Sequence, residues 1–502
     1  RVFAVSGLLV VAFVVLTLAF QNQVEPMFTA MRGWLTSNLD WFFISAGNVF
    51  VLVCLGLAIS PLGKVRLGGT EATPDYTYLG WFSMLFAAGM GIGLMFFGVS
   101  EPLSHFGSAF GGTAMENGVR TDWAPLGAAA GDAEAATRLG MAATIYHWAL
   151  HPWAIYAILA LGLALFSFNK GLPLTVRSVF YPLLGERVWG WPGHVIDILA
   201  VLATLFGLAT SLGYGAAQAS SGLNFLFDVP LGNTTQIVLV IGITAIALFS
   251  VVAGLDAGVK RLSEINMILA VLLLLFVIAV GPTLDILSGF FGNLGAYFQH
   301  LPALSNPVGR DDANFSQGWT AFYWAWWISW SPFVGMFIAR VSRGRTVREF
   351  IISVLIVPSL ACVLWMTVFG ETAIIQFVRD GYEAATKAEL PLQLFSMLDA
   401  LPLAQITSFI AIILVVVFFV TSSDSGSLVI DVIAAGGKVD APTPQRVFWC
   451  VFEGLVAIAL ILGGGLVALQ AMAVSTGLPF TIVLLMSTVA VIKGLMSEPR
   501  VR

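Results

Sequence analysis

Aromatic side chains that could bind a cation are concentrated in two apolar stretches of the chain. Four tryptophans fall within residues 324–330, and another aromatic group lies at 148–156. Tryptophan is common at membrane interfaces, but four so close together are difficult to place in an interfacial belt. A quaternary ammonium group has no N–H to donate and is attracted to ring faces, by about 2 kcal/mol or more per desolvated ring. The residues that could form such a box are Trp148, Trp153, Tyr156, Trp326, Trp327 and Trp330.

A glycine-rich segment interrupts another apolar stretch at 87–93. Gly89, Gly91 and Gly93 alternate with Met90 and Ile92, and each interior glycine weakens a helix by roughly 1 kcal/mol relative to alanine. The spacing of Gly89 and Gly93 suits close helix packing, which is the interpretation we favour from these residues alone. The alternative is an unwound segment at the midplane of a membrane, where free amides would bind a carboxylate and free carbonyls would bind Na⁺.

Hydroxyl groups and one carboxylate interrupt the apolar stretch 404–435. Thr421, Ser422, Ser423, Asp424 and Ser425 follow one another directly. Hydroxyl oxygens are suitable ligands for Na⁺, although Ser and Thr can also return their hydroxyl to a backbone carbonyl of the same helix. An acid inside a membrane is a functional candidate by default. Asp424 could equally orient a local polar network, and the sequence leaves both roles open.

The remaining polar residues give weaker signals. His147 and His151 are four residues apart but lack a third ligand, so core or structural roles are favoured. Asp197 is interpreted as a charge at a helix start rather than a proton carrier. No nucleophile–base pair, nucleotide-binding loop or HExxH motif is present, which argues against an enzyme. The five histidines, which form no metal-ligand spacing in the sequence, are His105, His147, His151, His194 and His300.

Composition places these residues in a membrane protein. Of the 502 residues, 58% are hydrophobic and only 10% are charged, with a mean hydropathy of +0.91; soluble domains are typically about a quarter charged. The apolar stretches are about 20 residues long, as a bilayer requires, and must be helical to satisfy their backbone. The net charge of −5 argues against a nucleic-acid partner. The predicted spans are 2–20, 41–60, 79–99, 139–167, 194–223, 235–254, 263–281, 317–339, 349–370, 404–435, 447–463 and 471–492.

The distribution of basic residues sets the expected orientation. With the N-terminus in the cytoplasm, 17 of the 23 lysines and arginines fall on the cytoplasmic side, as the positive-inside rule demands. The sequence therefore predicts an inner-membrane protein of a bacterium with both termini cytoplasmic. The predicted outer segments 100–138, 282–316 and 371–403 are long, and 282–316 begins with an amphipathic helix at the membrane surface. The arginine-rich loop at 340–348 is interpreted as an orientation anchor near anionic lipid, with gating as the alternative.

Four stretches together resemble the betaine/carnitine/choline transporter family: 89–93, 147–156, 324–333 and 421–425. The resemblance extends over nearly the whole chain. It implies an all-α membrane fold with 12 transmembrane helices. Two peripheral helices (1–78) precede two inverted five-helix repeats (79–292 and 317–495) of the LeuT-like kind, with 282–316 as a periplasmic helix and loop between the repeats. It also implies a homotrimer and no cofactor other than a coupling ion.

The resemblance implies roles for individual residues. The six aromatic residues named above would line the substrate site together with Gly89, Met90, Gly91 and Gly93. A sodium site would use carbonyl oxygens of Ala87, Met90 and Phe418 and the hydroxyls of Thr421 and Ser422.

A second sodium site is expected to be impaired. Sodium-coupled relatives use two threonines four residues apart, near a phenylalanine; this chain has Thr204 and Phe333, but Leu208 stands at the second threonine position and offers no oxygen.

Gly93 points to the charge of the solute. Choline-transporting relatives commonly have an aspartate at this position, which would attract a net cation and repel the carboxylate of glycine betaine. We therefore expect symport of glycine betaine or a similar zwitterion with Na⁺ across a lipid bilayer by alternating access. Proton-coupled choline transport is the alternative. Sodium-independent carnitine exchange and a channel are less favoured.

Overall fold

The computed structural model describes residues 1–111, 115–116, 119–120, 129–254, 256–310, 312–440 and 442–501, and most of these lie in helices. The described α-helices, numbered in chain order, are Val2–Ala19 (α1), Gln21–Ile59 (α2), Tyr78–Ala88 (α3), Ile92–Gly111 (α4), Ala133–Tyr146 (α5), Leu150–Ala164 (α6), Tyr181–Leu184 (α7), Trp191–Phe227 (α8), Asn233–Ala253 (α9), Asp256–Val280 (α10), Thr283–Leu304 (α11), Ala313–Phe315 (α12), Ala321–Val341 (α13), Val347–Met366 (α14), Thr372–Asp380 (α15), Ala384–Lys387 (α16), Gln393–Asp399 (α17), Ala404–Ala434 (α18), Thr443–Leu462 (α19) and Leu466–Met496 (α20).

Short elements complete the described backbone. Two strands of two residues, β1 (Met115–Glu116) and β2 (Val119–Arg120), pair antiparallel. Single turns of π-helix extend or precede long helices at Leu165–Asn169, Ser316–Thr320 and Thr367–Glu371. Turns of 3₁₀-helix occur at Pro61–Lys64, Val176–Phe180, Gly185–Trp189 and Leu390–Leu392. The rest of the predicted outer segment 100–138, at 112–114, 117–118 and 121–128, lies outside the described residues.

Ten helical stretches of the described chain are long and apolar enough to cross a membrane, and the bent pair α3–α4 can form an eleventh. These eleven correspond to eleven of the twelve predicted spans. The remaining span, 317–339, corresponds to α13, which has 21 residues but is not apolar enough to count among them. Most residues of α13 are buried within the protein, and a helix surrounded by protein does not need the hydropathy of a lipid-facing helix.

The centre of the molecule is built around α13 and α18. Helix α13 packs against α6, α8 and α20, and α18 packs against α8, α10 and α19. Helices α1 and α2 cover this centre from the outside: α1 contacts α8 and α19, and α2 contacts α6 and α20. Their outward faces expose large apolar side chains such as Leu8 and Leu52, as expected of surfaces that face lipid.

The predicted amphipathic stretch forms α11, and its helical structure is confirmed. The helix packs on α5, and its nearly fully buried side chains include Ile286, Asn293 and Tyr297. Its exposed face is also apolar, since Leu284 is 80% and Phe291 72% exposed. This helix therefore presents hydrocarbon outward rather than a polar face.

The arginine-rich loop between α13 and α14 binds protein rather than hanging free. Arg345 is buried, donates to the carbonyl of Tyr76 at 2.7 Å, and lies over the rings of Tyr78 and Trp81 at 4.1 and 4.7 Å. Arg348 donates to the carbonyl of Ala58 at 2.7 Å. For these two arginines the lipid-anchor interpretation is wrong, because their guanidinium groups tie the loop to the ends of α2 and α3. The division into two inverted repeats stays a prediction.

Candidate binding site at a helix break

The glycine-rich segment breaks its helix. Helices α3 and α4 meet at a bend of 64° across Gly89, Met90 and Gly91. The Met90 amide turns back to the carbonyl of Ala87 at 3.1 Å, and the first amides of α4 have no carbonyl one turn earlier to bond. The unwound alternative is therefore the one observed. Close packing also occurs, because a Cβ at Gly93 would lie 2.9 Å from Cη2 of Trp148.

All ten residues predicted to contact the solute line one cavity of about 60 Å³ at this break. The aromatic box, defined as Trp148, Trp153, Tyr156, Trp326, Trp327 and Trp330, forms its walls together with Gly89, Met90, Gly91 and Gly93. We call this space the box cavity.

Five of the six rings of the box form a continuous series of ring contacts, and the sixth, Trp330, contacts Phe333. Trp326 and Trp327 stack with ring centroids 4.6 Å apart, and Trp148 meets Trp327 edge-on at 4.9 Å. Trp153 and Tyr156 are in edge contact at 5.1 Å. The predicted side chains thus come together as one aromatic surface from α6, α13 and the segment before α6.

Every indole N–H of the box donates to the protein. Trp148 donates to Oε1 of Glu101 at 2.7 Å, Trp326 to Oγ of Ser211 at 3.1 Å and Trp330 to the carbonyl of Gly207 at 2.9 Å. The other two indoles bond carbonyls at the break between α5 and α6 that have left the helical pattern.

Pro152 explains one of these free carbonyls. A proline has no N–H, so the carbonyl of Trp148, four residues earlier, has no helical partner and accepts from the indole of Trp153 at 3.2 Å. The carbonyl of His147 accepts from Trp327 at 3.0 Å. The box consequently keeps its ring faces for a ligand, while its donors are used to fix the rings.

Glu101 is a site residue that the sequence prediction missed. Its carboxylate is wholly buried and accepts from Trp148 at 2.7 Å and from the hydroxyl of Tyr323 at 2.6 Å through Oε1. Oε2 lies 2.6 Å from Nδ1 of His147 and 2.9 Å from Nε2 of His105. Four partners surround one carboxylate, so Glu101 fixes the position of a box tryptophan.

The histidine prediction needs a correction on this point. Glu101, His105 and His147 offer ligand atoms that all lie within 4.8 Å of one another, although their sequence spacing matches no metal motif. The predicted span ended at residue 99 and left Glu101 in a loop, whereas α4 continues to Gly111. The missed signal was the pair Glu101 and His105, four residues apart and thus on one helix face.

The predicted sodium ligands meet at a second, larger cavity of about 340 Å³. Ala87, Met90, Phe418, Thr421 and Ser422 all line it. The hydroxyl of Thr421 donates to the carbonyl of Val417 at 3.0 Å, which leaves its oxygen lone pairs to accept or to coordinate. We call this space the Arg340 cavity after the cation among its lining residues. It shares Met90, Gly91 and Trp330 with the box cavity.

The residues of the doubtful second sodium site are placed differently. Thr204 is buried and donates to the carbonyl of Ala200 at 2.7 Å within its own helix. Leu208 is fully buried and packs against Gly426, where a Cβ would lie 2.5 Å from Cδ1 of Leu208. Phe333 lines the Arg340 cavity. Hydrocarbon therefore fills the position where a second threonine would offer its oxygen.

A third cavity of about 210 Å³ lies on the other side of the box, near Arg32, Asn314 and Gln470. Its lining residues include none of those that line the box cavity. Aromatic rings separate the two: Phe97 lies 6.2 Å and Tyr214 5.4 Å from Trp326, centroid to centroid. The box is thus adjacent to the Arg340 cavity and closed off toward Arg32.

The other polar residues considered from the sequence have structural partners. Asp424 pairs with Arg446 at 3.2 Å. Asp197 forms a buried ion pair with Arg177 at 2.5 Å, so it is a paired interior charge rather than a simple helix-start charge. His151 shares a hydrogen bond of 2.9 Å with Asn48, in keeping with its expected structural role.

A multi-pass helical membrane protein with a central aromatic cavity at a broken helix is the class that fold and site define. The chain belongs to the betaine/carnitine/choline family of transporters, whose family model matches residues 1–500. It is 75% identical over 500 residues to a glycine betaine/proline/choline transporter of Vibrio parahaemolyticus, covering 100% of this chain and 90% of the relative.

Two further relatives support membership of the same family. Glycine betaine transporter 1 of the same organism is 54% identical over 507 residues, covering 99% of this chain and 94% of the relative. A glycine betaine transporter of Acinetobacter baylyi is 41% identical over 499 residues, covering 99% of this chain and 73% of the relative. The family confirms the resemblance drawn from the four motifs: the chain is a transporter of small quaternary-ammonium solutes and not an enzyme.

Proposed function

We propose that this protein imports glycine betaine, or a closely similar zwitterion, together with Na⁺ by alternating access. The observation that carries the substrate is the aromatic box, in which five indole N–H groups bond the protein and leave ring faces toward the cavity. A trimethylammonium group needs ring faces and no acceptor. The broken end of α4 supplies unpaired amides and a positive helix end for the solute's carboxylate.

Sodium coupling is supported by the donor set at the Arg340 cavity. Ala87 at the end of α3 and Met90 in the break line the same space as Thr421 and Ser422, and carbonyl and hydroxyl oxygens are hard donors that suit Na⁺. If the ion and the solute occupy these two cavities, which share lining residues, each would stabilise the same arrangement of α3 and α4 against α18.

One sodium ion sets a modest limit on accumulation. A charge crossing 100 mV contributes about 2.3 kcal/mol, which is roughly a 50-fold concentration of a net-neutral zwitterion. A second charge would raise this to about 2,000-fold. The leucine at 208 therefore matters for the driving force and not only for the architecture.

Orientation and assembly are part of the proposal. With the orientation expected from the basic residues, both termini and the Arg340 cavity would be cytoplasmic, and this conformation would be inward-facing and closed toward the periplasm. We also propose, from the family resemblance, a homotrimer in the bacterial inner membrane. The runner-up function is choline transport, favoured by the name of the Vibrio relative but disfavoured by Gly93, which supplies no counter-charge.

The test is uptake of labelled glycine betaine and choline into proteoliposomes, first under a Na⁺ gradient and then under a pH gradient with Na⁺ absent. Betaine accumulation that requires Na⁺ supports the proposal. Accumulation that proceeds equally without Na⁺, or choline uptake driven by protons alone, contradicts it.

Substitutions in α18 test the proposed sodium site. Replacing both Thr421 and Ser422 by alanine should raise the Na⁺ concentration needed for half-maximal uptake at least 10-fold, since two ligands are lost. Thr407→Ala is the matched control, because this threonine of α18 bonds only carbonyls of its own helix among the described residues, at Leu403 and Ala404. If both changes had the same effect on this Na⁺ concentration, the sodium site would not be formed by Thr421 and Ser422 in the Arg340 cavity.

A further inference from the structure

Glu453 is a buried acid that the proposed function does not use. It lies on α19, has no exposed surface, and faces α18 and α8. Its Oε2 accepts from the hydroxyl of Ser423 at 3.1 Å. Its Oε1 has no hydrogen-bond partner among the residues that the structure describes. Among the described residues, the buried carboxyl group of Glu453 therefore has a single hydrogen-bond partner, a neutral hydroxyl.

Most other buried carboxylates of the described chain have a cation or several polar partners, although Oδ1 of the buried Asp431 on α18 also has no hydrogen-bond partner among the described residues. Asp197 pairs with Arg177, Asp424 with Arg446 and Glu371 with Arg138, at 2.5, 3.2 and 2.6 Å, while Glu101 has four polar partners. An ionised carboxylate without such compensation is strongly unfavourable in a medium of low dielectric constant. A protonated carboxyl donates its own hydrogen to Ser423 and needs no cation. The surroundings of Glu453 thus fit the acid with its proton bound.

The position of Glu453 links it to the impaired second sodium site. Gly426 of α18 contacts both: a Cβ there would lie 2.5 Å from Leu208 Cδ1 and 3.1 Å from Glu453 Oε1. The leucine at the expected ion-ligand position and the carboxyl group of Glu453 therefore meet at the same side of one glycine. A proton carries the same single charge as a sodium ion and needs no coordination shell.

Few charged groups surround this site. On α18 the nearest are Asp424 and, two turns on, Asp431; α19 itself contributes Arg446 and the thiol of Cys450. Helices α1 and α9 carry no titratable side chain along their lengths, and the stretch of α8 around Leu208 carries none. Helix α20 has only Lys493, in its last turn. Among the described residues, Asp424 and Arg446 are therefore the charged groups close to Glu453.

A polar route connects Glu453 to the end of the helix pair. Ser423 is the chain neighbour of Asp424, whose carboxylate pairs with Arg446 in the first turn of α19. Arg446 precedes Glu453 by seven residues, or about 10 Å along the helix. Its side chain retains 13% exposure, so the route begins at a partly solvated group.

We propose that Glu453 is a proton-binding site, and that a proton held there replaces the second sodium ion in coupling. The inference rests on the proposed function, because it needs a solute whose entry the proton accompanies. In each cycle the carboxylate takes a proton from the outer side and releases it to the inner side. Each imported zwitterion is then accompanied by one Na⁺ and one H⁺.

The test uses the full chain in proteoliposomes with a pH dye trapped inside, equal pH on both sides, and the membrane potential clamped by potassium and valinomycin. Betaine entering with Na⁺ should acidify the lumen by one proton per betaine. Glu453→Gln should keep Na⁺-dependent uptake but lose the acidification. Its accumulation at −100 mV should fall from about 2,000-fold to about 50-fold. Glu453→Asp, which retains a titratable group, should keep the acidification.

A matched control is Glu371→Gln, which removes a buried acid paired with Arg138 and should leave the proton signal per betaine unchanged. If the Glu453 variants do not fold, the acidification measured with the wild-type protein tests the proton site by itself. Na⁺-driven betaine uptake without acidification contradicts the proton site only. If the wild-type protein carries two sodium ions per betaine and Glu453→Gln carries one, the carboxylate holds Na⁺ and not a proton. That result would also contradict the proton site. A wild-type chain that takes up no betaine under a Na⁺ gradient contradicts the proposed function, and the proton site with it.

Discussion

At the scale of single residues, the box depends on groups that never touch its cavity. Glu101 holds the indole of Trp148 and the hydroxyl of Tyr323 with one oxygen, and two histidines with the other. The carboxylate orients an aromatic wall rather than attracting the ligand's cation directly. Because it is fully buried, even a small change in its hydrogen bonding is transmitted to the ring.

Glu101→Gln keeps the shape but replaces one acceptor oxygen by a donor NH₂ group. Trp148 and Tyr323 keep an acceptor only if the NH₂ group points at His147 and His105, whose ring nitrogens must then accept instead of donate, at a cost of about 1–3 kcal/mol. We expect a 5- to 100-fold weaker apparent betaine affinity with the sodium dependence retained. Titration of intrinsic tryptophan fluorescence with betaine measures this. Unchanged affinity would show that Trp148 is held by packing alone.

Gly93 combines a steric and an electrostatic role. A Cβ at this position would meet Trp148 Cη2 at 2.9 Å, so Gly93→Ala should already weaken betaine uptake by displacing that ring. Gly93→Asp adds a carboxylate, which should favour choline over betaine relative to the alanine variant. The ratio of choline to betaine uptake in the two variants separates charge from size. If the ratio is the same in both, the electrostatic reasoning is wrong.

At the scale of elements, the α13–α14 loop fixes the start of the broken helix. Arg345 contacts Tyr76, Tyr78 and Trp81, and a buried cation over two rings contributes about 1–3 kcal/mol together with its hydrogen bond. Arg345→Ala should therefore lower the temperature at which the detergent-solubilised protein loses betaine binding. Arg343→Ala is the control, because Arg343 is 44% exposed and pairs with Asp75 only at 3.9 Å; such pairs contribute little. Equal losses would contradict an anchoring role for Arg345.

Sequence patterns predicted most helices but not where they bend. The spans followed from hydropathy, and α11 from its apolar stripe. The bend at Gly89–Gly91 was predicted only as an alternative, because three glycines suit both tight packing and unwinding. In the structure Gly93 packs tightly against Trp148, whereas Gly91 lies in the unwound segment. Glu101 was missed because hydropathy ended the span at residue 99, two residues before Glu101, whereas burial among aromatic donors let α4 continue to Gly111.

The box itself was predictable from residue types, since ring faces for a quaternary ammonium require aromatic residues from two elements. The hydrogen-bond acceptors that fix the box tryptophans could not be predicted from neighbouring residues in the sequence. Ser211 and Gly207 of α8 fix Trp326 and Trp330 from more than 100 positions away in the chain. Such long-range hydrogen bonds follow only from the packing of α8 on α13.

At the scale of the whole molecule, the arrangement of cavities predicts which side is accessible. Cys362 lines the box cavity, whereas Cys54 and Cys450 are buried elsewhere and line none of the three cavities described above. In a chain with Cys54 and Cys450 replaced by alanine, a small thiol reagent should reach Cys362 from the Arg340 side. Betaine with Na⁺ should slow labelling several-fold. Labelling from the Arg32 side alone would contradict the inward-facing assignment.

The anchored indoles of the box have a consequence for selectivity within a mixed pool of metabolites. Each N–H on a solute's ammonium group that enters the cavity loses water and meets ring carbon instead of an acceptor, at roughly 1–3 kcal/mol per group. Successive removal of methyl groups from betaine should therefore lower uptake stepwise, with glycine the poorest substrate. On this reasoning, discrimination among zwitterions depends on how many N–H groups their ammonium nitrogen carries, and we expect the fully methylated solute to be taken up best.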